Sequence, residues 1–196
     1  MTRGFLPFLA LSLTIGLGAL AWGTEGFRVV TSEGARRLAV MHDPQPVPDI
    51  PLRDQDGRRF SLAGYRGGPV LVEFIYTSCP ALCGLLGDEF QRLAATEPGL
   101  RLLSISFDPE RDDRKALALY GERYDAAPPR WRIAAPVDRP GLQLLLQRFG
   151  VVVIPDGNGG FVHNGALYLV NSRGKIARIL DLGATPQVVA AAFGAS

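Results

Sequence analysis

The sequence predicts an α/β domain in which a central mixed sheet is flanked by helices, carried behind an N-terminal apolar segment. Three observations predict it: near-continuous apolar runs alternate with stretches of helical period, turn dipeptides fall where strands must reverse, and the first of those runs leads directly into a helix. At 196 residues, 47% hydrophobic and 20% charged, the chain is long enough to bury a core and too apolar to be disordered. Its 23 Gly and 15 Pro follow no repeat, which excludes a collagen-like or low-complexity chain. With 21 basic residues scattered among 19 acidic ones, nucleic acid is not an expected partner.

The elements follow in order. Phe5 to Trp22 holds no charge and follows Arg3, so residues 1–26 read as a secretory signal peptide or a membrane anchor, with Ala19-Leu20-Ala21 as a small-x-small cleavage site. The rest of the chain is then expected on the periplasmic side of a bacterial inner membrane, anchored or secreted. Residues 27–46 read as a tether. Ser32 to Val40 forms a short helix in it, with Glu33 in the first turn and Arg36 and Arg37 toward the end, before Pro44, Pro46, Pro48 and Pro51 break regular structure.

The domain proper spans 47–196. Leu52 to Leu62 encloses Asp56-Gly57, a hairpin turn. Pro69 to Tyr76 is a central strand covered on both faces, and the helix after it places Leu82, Leu85, Leu86, Phe90 and Leu93 on one side. Leu100 to Phe107 is a second buried strand. Asp112 or Asp113 starts a helix whose Leu117, Tyr120 and Tyr124 share a face, and Trp131 to Ala135 is a short strand. Asp138 caps the next helix, with Pro140 in its first turn, Leu142, Leu145, Leu146 and Phe149 along one stripe, and Gly150 closing it. Ala166 to Asn171 and Lys175 to Leu180 make a hairpin about Ser172-Arg173-Gly174. Thr185 with Pro186 caps a final helix.

The only two cysteines, Cys79 and Cys83, lie four positions apart at the junction of the first central strand and its helix. A dithiol at that junction is the thioredoxin-like arrangement, because unpaired N–H groups and the positive dipole end at a helix start stabilise a thiolate. Pro80 fits the first turn, where its missing N–H is no loss. The spacing is C-x-x-x-C, and it leaves two chemistries open: a reversible disulfide, or soft thiolate ligands for Cu(I). A third ligand would favour metal. Only His42 and His163 exist; His42 lies in the proline-rich tether, whereas His163 follows the glycine-rich loop 156–160 and can approach the thiols.

The run Phe74-Ile75-Tyr76-Thr77-Ser78-Cys79-Pro80-Ala81-Leu82-Cys83, then Ser104-Ile105-Ser106-Phe107-Asp108-Pro109-Glu110-Arg111-Asp112, then His163 ahead of Tyr168-Leu169-Val170 resembles the Sco/SenC family over about residues 47–193. The resemblance implies a thioredoxin-like fold, with Cys79, Cys83 and His163 as ligands of copper, Cu(I) or Cu(II). It also implies delivery of that copper to the binuclear centre of cytochrome c oxidase subunit II or a similar copper protein, supply by a copper donor protein, and attachment to the inner membrane if the N-terminal segment is kept. Two positions depart from the family pattern: Gly84 stands where proline is common, and Val162 where an aspartate commonly precedes the histidine.

Three functional classes follow. A copper metallochaperone, with no catalytic turnover, needs both thiols and His163. A periplasmic thiol-disulfide reductase acting on the cysteines of a copper protein needs only the redox-active pair Cys79 and Cys83. A peroxiredoxin-like peroxidase needs proline at 72 and threonine at 76, where this chain has Val72 and Tyr76. The metallochaperone reading leads.

Overall fold

The computed structural model describes residues 5–23, 31–79, 82–184 and 186–194. The chain divides into two units, one ending at His42 and one beginning at Asp43. The first holds α1 (Phe5–Gly23) and α2 (Ser32–His42), in which Glu33 pairs with Arg36 and Arg37 as the i, i+3 and i, i+4 spacing allows. Among the described residues no helix is long and apolar enough to cross a membrane.

The second unit is built on β1 (Gln45–Pro46), β2 (Pro51–Asp54), β3 (Arg59–Ser61), β4 (Val70–Ile75), β5 (Leu102–Ser106), β6 (Trp131–Pro136), β9 (Leu167–Val170) and β10 (Lys175–Leu180). Their order in one sheet is β1-β10-β9-β4-β5-β6-β2-β3. The central trio β4, β5 and β6 is parallel and the flanking strands are antiparallel. Parallel strands need helical crossovers. Those are α3 (Leu82–Thr96) and α4 (Arg114–Arg123), and α5 (Arg139–Phe149) follows β6. A separate two-stranded ribbon, β7 (Val153–Pro155) with β8 (Phe161–His163), precedes β9, and α6 (Pro186–Gly194) closes the chain. This mixed sheet flanked by helices is the thioredoxin-like arrangement that the sequence predicts.

The expected caps are in place. Asp113 accepts from Ala116 N at 2.8 Å and Asp138 from Gly141 N at 2.7 Å, and Gly150 ends α5 at φ 63°. Pro80 and Thr185 lie outside the described residues. Three differences from the sequence reading stand out. Gln45 and Pro46 pair with Ile176 and Lys175 as an edge strand, a position where proline is tolerated because its missing donor faces away from the ladder. Leu85 is 62% exposed, so the buried stripe of α3 is Leu86, Phe90 and Leu93. The segment before His163 holds the β7–β8 ribbon, where the sequence reading has only a flexible loop.

The core packs Phe74, Phe149 and Tyr168 edge to face on one side of the sheet. On the other side, where Phe90 meets Trp131, Glu73 is fully buried. It accepts a hydrogen bond from Ser104 Oγ, which in turn accepts from Trp131 Nε1 at 3.0 Å, and its second oxygen has no partner. Burial pushes the carboxyl pKa from 4.5 up to about 8. The folded state therefore keeps a proton that the unfolded chain gives up, so this group's stabilisation is complete below pH 4.5 and is lost as pH rises toward 8. Unfolding in urea across that window should show wild-type stability falling by up to about 1.4 kcal/mol per pH unit, and Glu73→Gln should flatten the slope. Parallel wild-type and variant curves would show that Glu73 is ionised in the core.

Candidate metal centre

Each candidate ligand is set by a different element. Cys79 ends the turn that leaves β4, and its N–H donates to Tyr76 O at 3.2 Å. Cys83 is the second residue of α3 and is 1% exposed, whereas Cys79 is partly exposed. The Cys83 N–H donates to Cys79 Sγ at 3.2 Å, so the helix start does aim a backbone donor at the first sulfur. At the second sulfur a backbone hydrogen bond from Tyr76 is outweighed by burial. Burial, followed by the hydrogen bond with Cys79, pushes the Cys83 thiol well above its ordinary range.

His163 ends β8, opposite Val153, and is 8% exposed. Its Nε2 lies 3.7 Å from Cys83 Sγ. Burial lowers the imidazole pKa, opposed by the Asn164 backbone, so the ring is neutral and ready to ligate at pH 7. The ligand atoms of Cys79, Cys83 and His163 all lie within 4.8 Å of one another. With metal–donor bonds of about 2.0–2.3 Å, three donors in a plane around one ion sit roughly 3.5–4 Å apart, so small side-chain adjustments suffice to close the site. His42, the other histidine, belongs to the first unit and is not in this cluster.

Residues that the sequence reading passed over hold the histidine in place. The ring packs 4.9 Å from Phe107 and 6.4 Å from Tyr76. Phe161, two residues back on the same face, packs on the same two rings at 5.6 and 5.3 Å, and the Tyr76 hydroxyl meets its backbone. Asn164 closes the base of the ribbon: its Oδ1 accepts from Val152 N at 2.7 Å and its Nδ2 donates to Gly150 O at 3.0 Å. At the tip, Asp156 Oδ1 accepts from the N–H groups of Asn158 and Gly160. Arg111 pairs with Asp108, donates to Gly159 O and lies over the Phe161 ring at 5.1 Å, clasping the ribbon to the loop before α4. Arg111 lies in the 108–112 stretch that carries part of the family resemblance.

The SCO1/SenC family model matches residues 44–195. The chain is 28% identical over 138 residues to the SCO1 protein homolog of Bacillus subtilis, covering 67% of this chain and 72% of that one. The structure of Bradyrhizobium japonicum ScoI with copper bound superposes with a TM-score of 0.63 at 23% identity, over 76% of this chain and 98% of that one. BsSco, a member of the Sco family of cytochrome c oxidase assembly proteins in which a disulfide switch was identified, superposes with a TM-score of 0.63 at 24% identity, over 78% and 94%. The two structures establish the shared fold.

The clasp yields a test. Arg111→Ala removes contacts at the ribbon tip and leaves the main sheet intact, so hydrogen exchange at residues 159–163 should speed up while the melting temperature stays within a few degrees of wild type. Unchanged exchange there would mean that aromatic packing and Asn164 alone hold His163.

Proposed function

The chain belongs to the SCO1/SenC family, and we propose that it is a copper metallochaperone that holds one copper ion through Cys79, Cys83 and His163 and delivers it to a copper protein, the binuclear centre of cytochrome c oxidase being the expected client. The observation that carries this reading is the convergence of two sulfurs and one imidazole nitrogen within 4.8 Å. Two soft thiolates with an imidazole suit Cu(I) in a trigonal site. A pure dithiol reductase needs no histidine there. The copper-bound relative and the name of the BsSco family support the cargo and the client.

Loading is coupled to protons. The Cys83 thiol is protonated at neutral pH because it is buried, so the ion must displace that proton and any proton on Cys79. The neutral imidazole loses none. Apparent affinity for Cu(I) therefore rises with pH. Release is coupled to electrons: a disulfide between Cys79 and Cys83 takes two electrons and two protons from the thiols to an acceptor disulfide, and it leaves no thiolate for the metal. The half-exposed Cys79, which accepts the Cys83 N–H, is the sulfur placed to attack such an acceptor. That feature keeps the reductase as a second reading. For location, we propose the periplasmic side of the inner membrane, reached through the apolar segment from Phe5 to Trp22 acting as a signal peptide or an anchor.

Anaerobic Cu(I) competition on the reduced protein should give one tightly held ion, lost in Cys79→Ser and Cys83→Ser and weakened in His163→Ala. Affinity that His163→Ala leaves untouched would remove the histidine from the ligand set. In cells, His163→Ala should lower oxidase activity under copper limitation while the purified variant still exchanges disulfides. Normal oxidase assembly in that strain, beside failure of a Cys79→Ser strain, would favour the reductase.

A further inference from the structure

Outside the metal-ligand cluster, three arginines converge on one pocket. Arg53 on β2 and Arg59 on β3 stand directly opposite each other in the antiparallel register, an arrangement of like charges that ordinarily destabilises a hairpin. Arg114, the first residue of α4, lays its stem against the turn of the same hairpin, where a Cβ on Gly57 would sit 3.2 Å from Arg114 Cδ. The three line a pocket of about 330 Å³ between the hairpin, β6 and the start of α4. Among the described residues none of these guanidiniums makes an ion pair or a hydrogen bond.

Three carboxylates also line the wall, and each is committed elsewhere. Asp54 accepts from the N–H groups of Asp56 and Arg58 at 3.1 and 2.9 Å and faces Arg132 at 3.4 Å. Asp112 is taken up by Thr77 and Ser106, and Asp113 caps α4 through Ala116 N. The acceptor oxygens are thus turned toward the protein, and the donors left to face a ligand are those of the three guanidiniums. An arginine fork matches an oxyanion through paired N–H donors, and a dianion offsets three guanidiniums better than a single carboxylate does.

We propose that this pocket binds a phosphate-class dianion through Arg53, Arg59 and Arg114. The site lies next to the metal centre in the bonding network, because Asp112 in its wall also holds Thr77, two residues before Cys79. A bound anion quenches the repulsion between Arg53 and Arg59, which gives the pairing of two arginines across this hairpin a reason.

The probes are inorganic phosphate and glycerol 3-phosphate, titrated into the full-length protein at constant ionic strength with sodium chloride as the reference, and followed by calorimetry. Saturable binding with Kd near or below about 1 mM is expected, weakened about tenfold or more in Arg53→Gln/Arg59→Gln and unchanged in Lys115→Gln, a neighbour outside the pocket. Both probes binding alike would assign recognition to the phosphate group alone. Glycerol 3-phosphate binding by itself would assign the site to organic phosphate esters. Binding that never saturates, or that survives the double variant, would overturn the proposal. Arg114→Gln alone serves as a second variant, with weaker binding expected and unchanged affinity counting against the site.

Discussion

The carboxylate of Asp112, 3% exposed, accepts hydrogen bonds from Thr77 N at 3.0 Å, Thr77 Oγ1 at 2.6 Å and Ser106 Oγ at 2.5 Å. Thr77 belongs to the turn that leaves β4, Ser106 ends β5, and Asp112 lies just ahead of α4, its own N–H bonded to Asp108 O at 2.8 Å. One buried charge thus ties together the ends of two adjacent parallel strands and the entry to a crossover helix. Removing such an acceptor leaves several donors unsatisfied, each worth about 1–3 kcal/mol when buried. The turn carrying Cys79 is held by these bonds. Asp108 extends the anchor outward through Arg111 to the ribbon that bears His163. Cys79 and His163 therefore both trace back to the segment 108–112, while Cys83 is placed by α3.

Within the site, two electrostatic effects compete. The start of α3 favours a thiolate, by roughly 0.3–1 kcal/mol in exposed settings and up to about 2 kcal/mol in partly buried ones. Full burial disfavours a charged group by as much as about 3–5 pKa units, which is the larger effect. Position decides which wins at each sulfur. Cys79 is half exposed and receives the Cys83 N–H, whereas Cys83 is enclosed and its thiol is driven up. The same enclosure drives the His163 pKa down. Burial thus holds Cys83 and His163 in their uncharged forms in the metal-free protein, and an incoming cation supplies the charge that makes a thiolate affordable there.

The sheet's centre was legible because the near-continuous apolar runs at 70–75 and 102–106 have the composition that strands covered on both faces require, and both are buried throughout. Helices α4 and α5 were legible through their capping aspartates and, for α5, its terminal glycine, which leave marks at single positions. The three ligand candidates were also readable, since the chain offers only two cysteines and two histidines to choose from. What escaped was what holds them. Strands of three residues such as β7 and β8 are too short for a period of two to emerge, and the glycines of 157–160 read as looseness although Asp156 and Arg111 organise the tip. The Asp112 network joins residues 35 apart in sequence through side chains whose types alone announce nothing.

The departure at Val162 is also explained by strand geometry. Successive side chains on a strand point to opposite faces, so residue 162 cannot share the face of His163. Val162 is 63% exposed and pairs with the exposed Ile154, while Phe161 and His163 turn inward onto Tyr76 and Phe107. An acidic side chain at 162 would therefore lie on the outer face of the ribbon and would not orient the imidazole from beside it. In this chain the ring is oriented by aromatic packing and by the closure of the ribbon at Asn164. The inner face of the ribbon builds the site, and the exposed side chains of Ile154 and Val162 lie on its outer face.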